Sequence, residues 1–226
     1  MARDFHPRER QRDKLKRKLG KRAPFERVLI VCEGSKTEPL YFDALRRHYR
    51  LHNANVVVEK SQYGTSPLQV VQFARDRFLQ GDDHLHQRSR AFERVYAVFD
   101  RDEHQNYHEA LALVNDLTGA LRNDEKKAVR FEAVASVPCF ELWLLLHFED
   151  VLAPLHRGEA LRRLKLYLPD YAKGGSDHFD NTRDHMQDAV NRAVRLAAAG
   201  SRDDGVLPYT DVGALVAWLC SLKPLG

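Results

Sequence analysis

The sequence predicts an α/β fold built on a mainly parallel four-stranded sheet flanked by helices, followed by a helical C-terminal region. Three observations carry that prediction. Apolar runs of strand length alternate with helical periodicity from about residue 25 to residue 136. Two of these runs, Val28 to Cys32 and Val95 to Phe99, are unbroken, as in strands covered on both faces. Beyond residue 137 the patterns are helical.

The elements follow in order. FERVLIVC (25 to 32) is the first strand. TEPLYFDALRRHYR then reads as a helix capped by Thr37. Pro39 sits in its first turn, where a missing N–H costs little, and Leu40, Tyr41, Ala44 and Leu45 form its apolar stripe. NVVVEK (55 to 60) is the second strand. SPLQVVQFARDRFL is the second helix, with Ser66 as cap and Pro67 at its first position. RVYAVFD (94 to 100) is the third strand, 107 to 123 the third helix, and AVRFEAVAS (128 to 136) the fourth strand. Strands joined through helices require right-handed crossovers and pair in parallel. PCFELWLLLHF opens a strongly apolar helix at Pro138, and residues 158 to 168 and 181 to 199 form amphipathic helices. A last helix spans 210 to 222, capped by Thr210 or Asp211, with Val212, Leu215, Val216, Leu219 and Leu222 read as core. The chain thus divides into a basic arm (1 to 24), an α/β core (25 to 150) and a helical annex packed on it (151 to 226).

Composition narrows the function classes. Apolar residues make up 43% and charged residues 30%, enough to build a core and unlike a disordered chain. No apolar run reaches the roughly 18 to 20 residues that span a bilayer, and the N-terminus carries no apolar leader. Cys32, Cys139 and Cys220 are odd in number, lie among apolar residues and form no CxxC pair. They point to a reducing cytoplasm and exclude a disulfide framework or structural zinc. Residues 1 to 27 hold 11 Lys/Arg against 4 Asp/Glu, whereas the rest is net negative. Arg10, Arg12, Lys14, Lys16, Arg17, Lys18, Lys21 and Arg22 make this either a solubilising terminus or an arm that meets phosphates without reading sequence.

Open parallel sheets collect functional groups beyond the carboxyl ends of their strands. Here those ends carry Glu33-Gly34, Asp100-Arg101-Asp102 and, just after the fourth strand, Glu141. Asp100 and Asp102 have the period-two spacing that lets both carboxylates face one side, a pair of hard donors suited to Mg2+ or Mn2+. Glu33 then reads as a general acid or base or a further ligand, against the alternative of a solvated strand end. Gly34 is expected to leave a gap for a phosphate, with N–H donors from the following helix start and Lys36 nearby. His104 can hydrogen-bond a phosphate. Lys173, in the glycine-flanked loop YAKGG, can neutralise charge in a transition state, although a solvated loop lysine fits equally. Glu141 reads either as a ligand for a second metal or as an acid that stabilises a helix N-terminus. His147 reads as a packed or capping histidine. GSKT lacks the glycines of a phosphate-binding P-loop, which argues against an ATPase.

VLIVCEGSKTEPLYF, VYAVFDRDEH and PCFELWLLLHF together resemble the RloB-like family of phage-defence-associated proteins, from about residue 25 to the C-terminus. The resemblance implies a Toprim-type core, the fold of topoisomerases, DnaG-type primases and OLD-family nucleases. It places general acid/base or metal contact on Glu33 and metal binding on Asp100 and Asp102, with two Mg2+ ions as in OLD-family enzymes. Some Toprim proteins carry a third aspartate where this chain has His104, so a third carboxylate there is missing. The expected activity is metal-dependent cleavage of DNA or RNA, including tRNA, beside an ABC-type ATPase in a defence locus, with a homo-oligomer compatible. The rival readings are a non-catalytic nucleic-acid-binding or regulatory subunit and a DxD phosphatase with Asp100 as nucleophile.

Overall fold

A computed structural model describes residues 26–52, 55–84, 87–101, 104–203 and 205–222. Strand β1 (Val28–Cys32) alternates its side chains between two cores, and every one of its residues is fully buried. Val28, Ile30 and Cys32 face one core, Leu29 and Val31 the other. This two-sided burial is why the run reads as unbroken apolar rather than alternating.

Helix α1 (Thr37–His48) leads to β2 (Val56–Lys60), and α2 (Pro67–Gln80) leads to β3 (Arg94–Asp100). Helix α3 (Tyr107–Leu117) leads to β4 (Arg130–Val137). Strand β2 pairs with β1, β1 with β3 and β3 with β4, all in parallel. Apolar side chains of α1 join the first face, and those of α2 and α3 the second.

The start of α2 follows its sequence signals. Ser66 accepts from the Gln69 N–H, the Gln69 side chain reaches back to the Ser66 N–H, and Pro67 is the first helical residue. The start of α1 differs from expectation. Lys36, not Thr37, is the cap residue, and the Thr37 hydroxyl instead accepts the Gly174 N–H at 3.0 Å.

After β4 come the short α4 (Glu141–Leu145), then α5 (Arg157–Tyr167), α6 (His178–Thr182) and α7 (Met186–Ala199). The expected long apolar helix from Pro138 is therefore only five residues of α-helix, because the segment tightens into turns at Leu146 to Phe148. The third helix also ends earlier than expected, at Leu117, before the Gly119 turn (φ 74°).

The sheet has five strands, not four, in the order β2-β1-β3-β4-β5. Strand β5 (Tyr209–Thr210) pairs antiparallel with Val137 and Ser136, and α8 (Val212–Ser221) closes the described chain. Two residues are too few for a periodic signal, so β5 is invisible in the sequence. Val212, Leu215, Val216 and Leu219 are buried in the first core, as expected of core residues. Among the described residues no helix is long and apolar enough to cross a membrane.

Candidate active site

In the observed strand order, β1 is followed by α1 to one side of the sheet, and the chain returns to β3 on the other side. The β1/β3 boundary is therefore a topological switch point, where a crevice opens beyond the carboxyl ends. Glu33 follows β1 and Asp100 ends β3. Cys32 pairs with Val98, the Glu33 N–H donates to the Val98 carbonyl at 2.9 Å, and Glu33 Oε2 accepts the Asp100 N–H at 2.9 Å. The two acids expected at one sheet edge are thus direct neighbours, and Asp100 is buried.

Gly34 has a different role from the one expected. A Cβ at this position would collide with the carboxylate of Glu38. The space beside Gly34 holds the end of that side chain, which would have to swing aside for a phosphate to approach there. Glu38 lies in the first turn of α1 and is only 8% exposed. Burial raises its pKa, and the charge of Glu141 adds to the rise while Lys173 and Arg157 oppose it. The sequence reading used this helix start only as a source of N–H donors. A carboxylate there is common for dipole reasons, so spacing alone did not separate it from the ordinary case.

Glu141, the first residue of α4, is 3% exposed. Its Oε1 accepts the Tyr171 hydroxyl at 3.1 Å and lies 3.3 Å from Lys173 Nζ. Burial alone would raise its pKa. The Lys173 charge and hydrogen bonds from the Cys139 thiol and its own backbone outweigh that and hold it below the usual carboxylate range. Burial pushes the Cys139 thiol up, and the charges of Glu141 and Asp100 push it further. Burial likewise raises Cys32 well above a usual thiol, with Glu38 adding to the effect. Neither cysteine is suited to act as a thiolate nucleophile.

The loop carrying Tyr171 and Lys173 is held against α1. Gly174 has φ 82°, and a Cβ there would press on the Lys36 side chain. Lys36 is therefore packed beside this loop on an exposed part of the surface. Tyr171 also lies 4.6 Å, ring to ring, from His178, whose Nε2 donates to the Ala172 carbonyl at 3.1 Å. Tyr171 had little sequence signal, since a tyrosine next to a glycine-containing loop is ordinary.

His104 lines a cleft beside Arg101, just beyond β3. His147 is a packed histidine, as expected. Asp102 and the arm residues Arg10, Arg12, Lys14, Lys16, Arg17, Lys18, Lys21 and Arg22 lie outside the described residues. Among the described residues no group of three or more His, Cys, Asp or Glu is gathered closely enough to hold a metal ion.

A model of the RloB-like protein family matches residues 28–219. The chain belongs to the RloB-like family. The match runs from the start of β1 into α8, so it takes in all five strands and every acid described above. No curated protein and no solved structure matches the chain. In this RloB-like chain the family-wide span and the acidic edge therefore coincide: Glu33, Glu38, Asp100 and Glu141 all lie within it.

Proposed function

We propose that this RloB-like chain is a divalent-metal-dependent nuclease with a Toprim-type core. The observation that carries the proposal is the direct contact of Glu33 with Asp100 at the β1/β3 switch point, with Glu38 and Glu141 buried in the first turns of the helices that follow β1 and β4. Buried carboxylates this close repel one another, and cations relieve the repulsion. Lys173 already serves as such a cation for Glu141. The hard oxygen donors fit Mg2+ or Mn2+ in chemistry. The set that would hold the ions is Asp100, Asp102 and Glu141, with Glu33 or Glu38 completing it. When bound, the metal would polarise the phosphate and stabilise the attacking and leaving oxygens.

The chain's own groups have separate tasks. The Asp100 N–H orients Glu33 Oε2, which leaves the Glu33 carboxylate fixed at the sheet edge to hold or move a proton. Glu38, with its raised pKa, is a second carboxyl able to carry a proton there. Lys173 is half exposed, so its ammonium can turn from Glu141 toward a substrate phosphate. Family resemblance adds an ABC-type ATPase as partner in a phage-defence setting, and the basic arm adds a means of binding the polyanion.

The test is cleavage of plasmid DNA, total tRNA and single-stranded RNA with Mg2+ or Mn2+, using wild type and Asp100→Ala. Cleavage by the wild type alone supports the assignment. Activity that survives Asp100→Ala would sink it, and metal-dependent binding without cleavage, even with the ATPase present, would favour the regulatory subunit.

A further inference from the structure

Beyond the tips of β3 and β4 lies a cleft of about 730 Å3. Its walls come from four places: Arg101 and His104 after β3, Val137 and Pro138 at the end of β4, the segment entering α5, and the segment entering β5. No carboxylate lines it among the described residues. Arg101 directly follows Asp100 in the chain, so the cleft adjoins the acidic edge.

The lining combines two chemistries. Arg101, His104, His156 and Arg157 supply cations and imidazoles, while Pro138, Leu155, Val206 and Pro208 supply aliphatic faces. Arg101 is part of the wall: its Nη1 donates to the Arg202 and Asp203 carbonyls at 3.0 and 2.6 Å, and its guanidinium lies 5.2 Å from the centre of the Tyr107 ring. These bonds tie the segment before β5 to the end of β3. Arg157, the first residue of α5, lines the same cleft.

A ligand that fits such a lining has negative charge next to a flat, weakly polar body. The cleft volume falls within the roughly 300–1,000 Å3 of sites that enclose one small molecule. A nucleotide meets both demands. A base stacked in a duplex cannot enter a pocket of this kind without leaving the stack, which costs a few kcal/mol. We infer that the cleft receives one unpaired nucleotide of the strand whose phosphate faces the acidic edge, so that single-stranded or locally unpaired nucleic acid is preferred over duplex. The inference deepens the nuclease reading and rests on it for the position of the phosphate.

The test is equilibrium binding of the full chain to a labelled single-stranded DNA, the same sequence as RNA, and the DNA duplex, all in EDTA so that nothing is cut. The expected result is binding of at least one single strand about ten-fold tighter than duplex. Val206 is 66% exposed, so Val206→Glu places a carboxylate in the cleft with little loss of packing. It and Arg157→Ala should each weaken the preferred single strand about ten-fold while duplex binding changes less than about two-fold. Unchanged circular dichroism establishes that both variants are folded. Equal binding of duplex and single strand overturns the inference, as does wild-type affinity in both variants. Because binding in EDTA is independent of cleavage, a chain that cuts nothing yet keeps these preferences would refute the nuclease reading and leave the cleft assignment standing.

Discussion

Acid should destabilise this protein through His147 in particular, and the effect can be isolated. His147 is 1% exposed, and its Nδ1 lies 3.0 Å from the Trp143 carbonyl and 3.2 Å from that of Leu144. Carbonyls only accept, so Nδ1 carries the proton in the neutral ring. Nε2 is buried and has no hydrogen-bond partner among the described residues. Protonating it would bury an unpaired N–H together with a charge, while His185 and Arg192 already add positive potential. Burial is the largest cause, and the pKa falls from 6.5 to about 4. The unfolded chain therefore binds a proton near pH 6.5 that the folded chain refuses until about pH 4. Stability is complete above 6.5 and declines as pH falls through that window. At 1.36 kcal/mol per pH unit, the loss reaches about 2.5 kcal/mol by roughly pH 4.5. Urea unfolding near pH 7.5 and pH 4.5 measures it for wild type and His147→Leu. Carboxylates that titrate in this range act on both proteins and cancel in the comparison. The wild type should lose about 2.5 kcal/mol more than the variant on acidification. Equal losses would refute the reasoning. Because His147 lies just beyond the helix that begins at Glu141, the same measurement reports on the support of the acidic edge.

Further outcomes follow from the packing of that edge. Gly34→Ala meets only the flexible end of the Glu38 side chain, so it should cost about 1 kcal/mol or less, and the cost should vanish in a Glu38→Ala background, as read by thermal melting of the four proteins. Tyr171→Phe removes a hydroxyl from a buried carboxylate and should cost about 1.5–3 kcal/mol by urea unfolding; a cost near zero would mean that another donor replaces it. Lys173→Ala removes the leading cause of the depressed Glu141 pKa. A depressed carboxylate stabilises above its unfolded pKa and loses that contribution as pH falls, so by urea unfolding the variant should be less stable than wild type near pH 7, and the difference should shrink as pH falls below about 4.5.

Much of the fold was legible because its signals are local. Unbroken apolar runs marked β1 and β3, and the Ser66-Pro67 start of α2 appeared as read. The signals failed where a structure is made by a distant partner. Thr37 looked like a cap, but Gly174, 137 residues away, takes its hydroxyl. Strand β5 is two residues long and exists because Ser136 and Val137 offer an edge for it to pair with. Gly34 looked like room for a ligand, but only packing reveals that Glu38 fills that space.

By itself the sequence determined the membership of the elements and their polarity. Alternating strands and helices force parallel pairing, and that alone puts Glu33, Asp100 and the start of α4 on one edge. Strand order could not be read, because any arrangement of parallel strands presents the same local pattern. Tertiary structure decided that β1 lies beside β3, which brings the Glu33 carboxylate onto the Asp100 N–H. It also decided which charges meet: Glu38 and Glu141 across two helix starts, with Lys173 reaching over from a loop far along the chain. Electrostatic coupling depends on distance through space and on burial, and neither is carried by spacing along the chain.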